Sequence, residues 1–386
     1  MASYAERATE LPRSGIRLIM DAADRIGEGI MHLEVGQPHF PTAPHIVEAG
    51  AKALRDGYTR YTPNVGMRDV REALAAYCQA TYPEWTVRPE NVILTVGGVF
   101  GVAVALGAIV RQGHSVLIPD PGWPNYTAQA LYIGAEPIPY PLRVEKGYEP
   151  EIDELEGLVT PETDAIIINS PGNPTGAALR PEKLEELAAF ARRHDLFVVS
   201  DEVYDHITYD GDHTPMAYTS IPPEQLITVN SLSKTYCMTG WRVGYSVVPG
   251  PLVDLFTKVS ETLVSCPPAV SQRAAKAAVE GPQDSIAAMV AYYKANRDLI
   301  VAELQKAAIP VTHPAGAFYM LVDISACGVE AREFALKLLS EERVAVAPGD
   351  TFGSLAESHI RISFCTDRST VAEGVAGLVR LIDRLR

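Results

Sequence analysis

Lys234 closes the run Asn230-Ser231-Leu232-Ser233-Lys234, and Arg242 follows it within the stretch Thr239 to Tyr245. A lysine amine near a second cation is driven towards its neutral form, which attacks carbonyl carbons and moves protons. Asp201 follows the apolar run Phe197 to Ser200, with Tyr204 three residues on. Asn169 to Gly176, "NSPGNPTG", follows another such run, and Gly97-Gly98 follows Val92 to Val96. The N–H groups of Gly98 and Val99, at the start of a helix, would form an anion site. Ser231 and Arg242 add a hydroxyl and a guanidinium suited to a phosphate. Arg361 stands between Ile360 and Ile362. On a strand it points to the opposite face from both, where it can grip a carboxylate through two parallel hydrogen bonds. Each feature taken alone has a plainer reading. A lysine after a strand is usually solvated, an aspartate there caps a helix, and "SPGNPTG" makes a turn. An aromatic such as Trp123 in a turn is most often core packing.

These residues fall at the ends of predicted strands. Strands are predicted at Val92 to Val96, Ser115 to Ile118, Ala165 to Ile168, Phe197 to Ser200, Leu226 to Val229 and Val243 to Val248. Pro181 to His194 reads as a helix, with proline and glutamate at its start and Leu184, Leu187, Ala188 and Ala191 on one face. This alternation implies an α/β fold with a mainly parallel central sheet, in which ligands bind beyond the carboxyl ends of the strands. The last hundred residues suggest a smaller α+β part. It has helices over Tyr292 to Gln305 and along Val371, Val375, Leu378, Val379 and Ile382. Its strands are Phe318 to Val322, Val344 to Ala347 and His359 to Ser363. Ile16, Ile19, Met20, Ala23 and Ile26 space an N-terminal helix. The expected division is a large domain over 47–282, with 1–46 and 283–386 forming the small one.

Taken in order, from Gly36-Gln37-Pro38 to the "HIRISF" run His359 to Phe364, the motifs resemble one family over nearly the whole chain. It is the class I/II pyridoxal-phosphate-dependent aminotransferases of fold type I, the aspartate aminotransferase superfamily. The resemblance implies pyridoxal 5'-phosphate as cofactor. It also implies transfer of an amino group from an L-amino acid to a 2-oxo acid, through a Schiff base and a pyridoxamine phosphate intermediate. Lys234 would form the Schiff base and shuttle the Cα proton, and Asp201 would pair with the pyridine nitrogen. Tyr204 and Asn173 would bond the ring's phenolic oxygen, and Trp123 would lie against the ring with Tyr126 near Asp201. Gly97, Gly98, Val99, Ser231 and Arg242 would hold the phosphate. Tyr61, in "YTPNVG", would reach it from the neighbouring subunit, which implies a homodimer with a shared active site. Arg361 would take the substrate α-carboxylate, with Gly36, Trp123 and Asn173 around it. Phe100 and Gly101 stand where many relatives carry glutamine or glutamate followed by alanine. Val99 stands where aspartate-type relatives carry a lysine for the distal carboxylate. The expected donor is therefore neutral or aromatic rather than aspartate, although an arginine from elsewhere could restore dicarboxylate binding.

Composition narrows the alternatives. The chain has 386 residues, 47% hydrophobic and 21% charged, with a net charge of −15. That is a globular composition, and the acidity argues against nucleic acid or a polybasic membrane anchor as partner. The five cysteines are far apart without metal-site spacing, which suits a reduced, cytoplasmic setting and no metal. No targeting segment is expected. The uncharged stretch Val92 to Val110 reads as strand, glycine turn and buried helix rather than a membrane span. A lyase or synthase of the same superfamily would use nearly the same residues. A cofactor-sensing transcription regulator would need a DNA-binding domain, for which too few residues precede Gly36. A metal hydrolase would have to use Asp201, Glu202, Asp205 and His206, which lack a recognised zinc spacing.

Overall fold

The computed structural model describes residues 6–386. Seven strands among the described residues form the central sheet: β1 (Val92–Thr95), β2 (Ser115–Asp120), β3 (Glu136–Pro141), β4 (Thr163–Asn169), β5 (Phe197–Asp201), β6 (Leu226–Ser231) and β7 (Gly244–Val247). Their order is β1-β7-β6-β5-β4-β2-β3. Only β7 runs against the others, pairing antiparallel with both β1 and β6. The inner strands are buried on both faces, as their uninterrupted apolar sequences require when helices cover both sides of a parallel sheet.

β3 escapes the sequence reading. Its sequence, Glu-Pro-Ile-Pro-Tyr-Pro, would break a central strand, but it pairs only with β2 at the sheet edge. Prolines are tolerated there because one row of backbone groups has no ladder to complete. The stretch Val92 to Val110 divides into β1, a turn at Gly97 and the helix Gly98–Ile109. No helix among the described residues is long and apolar enough to cross a membrane. Gly101 lets the helix Gly98–Ile109 press onto the sheet, since a Cβ there would lie 2.9 Å from Val229 Cγ1. The helix Pro181–Arg193 starts on proline, has Glu182 in its first turn and ends on Arg192 and Arg193. That charge order complements its dipole.

A second, antiparallel sheet is drawn from later in the chain: β8 (Tyr319–Asp323), β9 (Ala347–Pro348) and β10 (His359–Ser363), in the order β9-β10-β8. The expected strand Val344 to Ala347 is two separate pieces. Val344–Ala345 pairs in parallel with Met31–His32, whereas Ala347–Pro348 pairs with β10. The first pairing fastens the N-terminal segment to the C-terminal part. The predicted helix from Tyr292 begins earlier, running over Asp284–Lys306.

The N-terminal helix, α1 (Gly15–Ile26), buries Ile19 and Ala23 in a cluster with Leu33, Leu338, Val344 and Leu378. Ile16 and Met20, on the same apolar stripe, stay half-buried, and both border the main cavity.

Candidate active site

The cavity, about 510 Å³, lies beyond the carboxyl ends of β4, β5 and β6, where an open parallel sheet binds its ligands. Gly36, Gly98, Val99, Trp123, Asn173, Asp201, Tyr204, Ser231, Lys234, Arg242 and Arg361 all line it. Turns after β1, β2, β4, β5 and β6 supply most of these residues, whereas Gly36 comes from the loop after Met31–His32 and Arg361 from β10, joined where Ser363 N donates to Leu33 O at 2.7 Å.

Lys234 sits in the single helical turn Leu232–Thr235, which leaves β6 directly. Ser231 caps that turn, its Oγ accepting from Ser233 N at 3.1 Å. The Lys234 Nζ donates to the Gly36 carbonyl at 2.6 Å. Burial brings the amine down from 10.5 to about 8, and the nearby Arg361 and Arg242 guanidinium groups push the same way. Asp201, the last residue of β5, is 3% exposed. Burial raises its carboxyl from 3.8 to about 6, against hydrogen bonds from Tyr126 and the Val203 backbone. The Tyr126 Oη donates to Asp201 Oδ2 at 2.6 Å. Trp123 meets the Tyr126 ring edge-on at 5.4 Å. Asn169 ties two turns together: its Nδ2 donates to Asp201 O at 2.9 Å, and its Oδ1 accepts from Asn173 N at 2.8 Å.

At the other end of the cavity the first turn of the helix Gly98–Ile109 presents Gly98 and Val99. Arg242 approaches from a left-handed backbone position with φ 53°. Its Nη1 donates to Thr239 O at 2.9 Å and its Nη2 to Val96 O at 3.1 Å. Gly97 does not line the cavity but makes this approach possible. Its φ is +77°, and a Cβ there would lie 2.5 Å from Arg242 Nη2.

Arg361, on β10, is 2% exposed. Its guanidinium lies between the rings of Tyr319 and Phe352, 4.3 and 4.7 Å from their centres. Nη1 donates to Asn173 Oδ1 at 3.0 Å, Nη2 donates to Glu34 O, and Nε is buried without a partner. A buried guanidinium with an idle donor is a site waiting for an acceptor. Burial lowers its affinity for its own proton, which an incoming carboxylate would reverse.

Tyr61, another expected residue, stands apart. It is 91% exposed and does not line the cavity of its own chain. Tyr319 and Arg17 are among the residues on the cavity wall that were not anticipated. The Tyr319 Oη pairs with the Tyr204 Oη at 3.0 Å, and it fits only because residue 36 is glycine, where a Cβ would lie 1.7 Å from it. In sequence Tyr319 is one more residue of an apolar strand, and nothing local marks it. Arg17, on α1, also borders the cavity. The side chains grouped earlier as a conceivable metal cluster disperse. Glu202 serves Ser200, Met216 N and His213, Asp205 takes Tyr82, and His206 meets Tyr77.

Residues 28–378 match the family described as Aminotransferase class I and II. The chain belongs to this family. As an aminotransferase it is 35% identical over 386 residues, all of both chains, to the putative aminotransferase YugH of Bacillus subtilis. It is 34% identical to an aspartate aminotransferase of Pyrococcus horikoshii, over 98% of this chain and 97% of the other. The crystal structure of an aromatic aminotransferase from the same organism superimposes with a TM-score of 0.89 at 34% identity, over 95% of this chain and 99% of that one. Relatives of equal similarity thus carry aspartate and aromatic names, so kinship alone does not choose the donor. Members of the family use pyridoxal 5'-phosphate. The groups in this aminotransferase's cavity match that molecule's polar ends: an amine for its aldehyde, a buried carboxyl for its ring nitrogen, and a helix N-terminus with a hydroxyl and a guanidinium for its phosphate.

Proposed function

We propose that the chain binds pyridoxal 5'-phosphate and moves an amino group from a neutral or aromatic L-amino acid to a 2-oxo acid. The observation that carries this reading is Lys234, an amine held near pKa 8 in one cavity with Asp201, Arg242 and Arg361. Bound pyridoxal phosphate supplies an aldehyde carbon that takes the amino nitrogen and a ring that draws electrons from the substrate Cα. Lys234 is the amine that holds the aldehyde, and its lowered pKa makes the neutral, bond-forming state accessible. Once free, Lys234 Nζ would be the base that takes the proton from the substrate Cα and gives it up again. Asp201 would pair with the cofactor's ring nitrogen and keep it protonated. Tyr204 and Asn173 would offer donors to its phenolic oxygen, and Trp123 an aromatic face to its ring. Gly97 leaves room for Arg242, which holds the phosphate together with Ser231 and the Gly98 and Val99 N–H groups.

Arg361 receives the α-carboxylate, offering the Nε–H that has no partner within the chain. The loop at Gly36 closes over that carboxylate, carried by a small domain of residues 1–46 and 283–386, and excludes water. Val99, Ile16, Met20 and Val35 give the cavity an apolar wall, which favours an uncharged donor side chain. Tyr61, exposed and outside its own chain's cavity, serves the phosphate of a second copy, so the working unit is a homodimer. The five cysteines are all free, which suits a cytoplasmic enzyme.

Lys234→Ala tests the assignment. The expected result is loss of the covalent cofactor link, read by mass and absorption, and a fall in turnover of at least about 10³-fold. Full activity in that variant would sink the mechanism.

A further inference from the structure

β2 ends on Asp120, which is 7% exposed. Its Oδ2 accepts from Ser354 N at 3.1 Å and from Ser354 Oγ at 2.7 Å, and its Oδ1 accepts from Leu355 N at 3.2 Å. No cation among the described residues pairs with this carboxylate, so its charge is spent on that one loop. Three donors converge on it, which calls for a group that only accepts. An amide would turn its own N–H donors towards some of them. Gly353 lets the loop come this close: its φ is +133°, and a Cβ there would lie 2.1 Å from Asp120 Oδ1.

The loop belongs to the second sheet. Residues 349–358 join β9 to β10, and Phe352 packs in a small cluster with Leu321 of β8 and Ala347 of β9. The Phe352 ring is one of the two faces that enclose the Arg361 guanidinium. A second bond reaches the same residue from the central sheet: Gly122 N donates to Phe352 O at 2.8 Å. Trp123 follows at once and lines the cavity. The stretch 120–123 therefore grips the loop on both sides of Phe352 and carries the indole of the cavity wall.

We propose that Asp120 is a positioning residue for the reaction. It clasps the loop at 353–355, the clasp seats Phe352 on Arg361, and the guanidinium is thereby held at a fixed place across the cavity from Trp123. A substrate that sets its carboxylate on Arg361 then has its α-carbon placed by the same contact. Asp120 does not itself line the cavity and acts only through Phe352. This inference rests on the aminotransferase reading above, to which it adds the residue that joins the central sheet to the carboxylate site.

The test uses the pyridoxal-phosphate-loaded protein with Asp120→Asn, Ser354→Ala, Phe352→Leu and the double variant of Asp120→Asn with Phe352→Leu. Binding of a non-reacting acid, 3-phenylpropionate, is measured by calorimetry, and single-turnover conversion of L-phenylalanine is followed by absorption. Asp120→Asn is expected to raise the acid's Kd about fivefold and to slow the conversion about tenfold or more, with pyridoxal phosphate affinity within about twofold of the parent. Ser354→Ala removes one of the three donors and should raise the Kd about twofold, which keeps the test decisive if Asp120→Asn folds poorly. Because Asp120 acts through Phe352, the double variant should bind the acid no more weakly than Phe352→Leu alone. Effects that multiply in the double variant overturn the proposal. So do an unchanged Kd in both Asp120→Asn and Ser354→Ala, a loss of cofactor affinity as large as the loss of acid affinity, and a parent protein that does not bind the acid. If the parent bound the acid but moved no amino group, the reaction assigned above would fail, and the calorimetry would still decide the role of Asp120.

Discussion

Asp201→Asn separates what the fold pays for its carboxylate from what the reaction gains. In the cofactor-free protein, burial holds the Asp201 carboxyl at about 6 instead of 3.8. The folded state thus binds the proton more tightly than the unfolded chain does. Below about pH 3.8 both states are protonated and nothing is lost. Between about pH 3.8 and about 6 the unfolded chain gives up this proton while the folded state keeps it, and stability falls. Above about 6 it levels off about 3 kcal/mol lower, which is the rise in pKa converted to free energy. An amide has no such penalty. Its altered hydrogen bonding to Tyr126 and Val203 adds a cost of about 1 kcal/mol that does not vary with pH. The stability of the variant minus that of the parent should therefore grow by about 2 kcal/mol between pH 4 and pH 7.5. Urea unfolding of both cofactor-free proteins across that range measures the difference directly. Addition of pyridoxal phosphate should reverse the advantage, because the variant has lost its partner for the ring nitrogen. A difference that stays flat with pH would refute the claim that Asp201 is a buried carboxylate held out of water.

Other perturbations read other parts of the site. Gly97→Ala places a methyl 2.5 Å from Arg242 Nη2 on a backbone with φ +77°, so pyridoxal phosphate affinity, titrated by absorption, should fall about tenfold or more. Tyr319→Phe keeps the ring under Arg361 but removes the hydroxyl that meets Tyr204. It should cost about 0.5–1.5 kcal/mol in denaturant stability and slow the reaction more than it weakens α-carboxylate binding, as a kcat–KM split would show. Burial opposes a charge on His213, but the Glu202 carboxylate 2.9 Å away outweighs it and raises the imidazole pKa. That stabilisation is complete below about pH 6.5 and lost as pH rises through the folded-state value. His213→Asn should therefore destabilise by about 1–3 kcal/mol at pH 5.5 and by less at pH 9.

Much of the site was legible because open α/β sheets place their ligands by rule. Asn173, Asp201 and Lys234 follow apolar runs of strand length, and consecutive parallel strands must bring their ends to one edge. Arg361 was legible from alternation with Ile360 and Ile362. What escaped depends on contacts that linear spacing does not encode. β3 is hidden by its three prolines, which only an edge position excuses. The run Val344 to Ala347 looks like one strand, yet Val344–Ala345 answers to Met31–His32 and Ala347–Pro348 to β10. Tyr319 shares its strand with the apolar Met320, Leu321 and Val322, and its meaning comes from Tyr204 and Gly36, more than a hundred residues away. Ile16 and Met20 were read as part of a core stripe. In the fold that stripe is split between core and cavity, and Arg17 comes to the mouth with it.

The central claim is that this chain moves amino groups through a cofactor held by Lys234. Its most direct test is an absorption spectrum of the pyridoxal-phosphate-loaded protein during titration with a panel of L-amino acids, with Lys234→Ala as control. Neutral or aromatic amino acids should convert the band of the lysine-linked cofactor into that of pyridoxamine phosphate. A 2-oxo acid should then restore the first band, and the Lys234→Ala protein should do neither. A lysine-linked band that no amino acid converts, while the amino acids are consumed to ammonia and an oxo acid, would contradict it and make the protein a lyase.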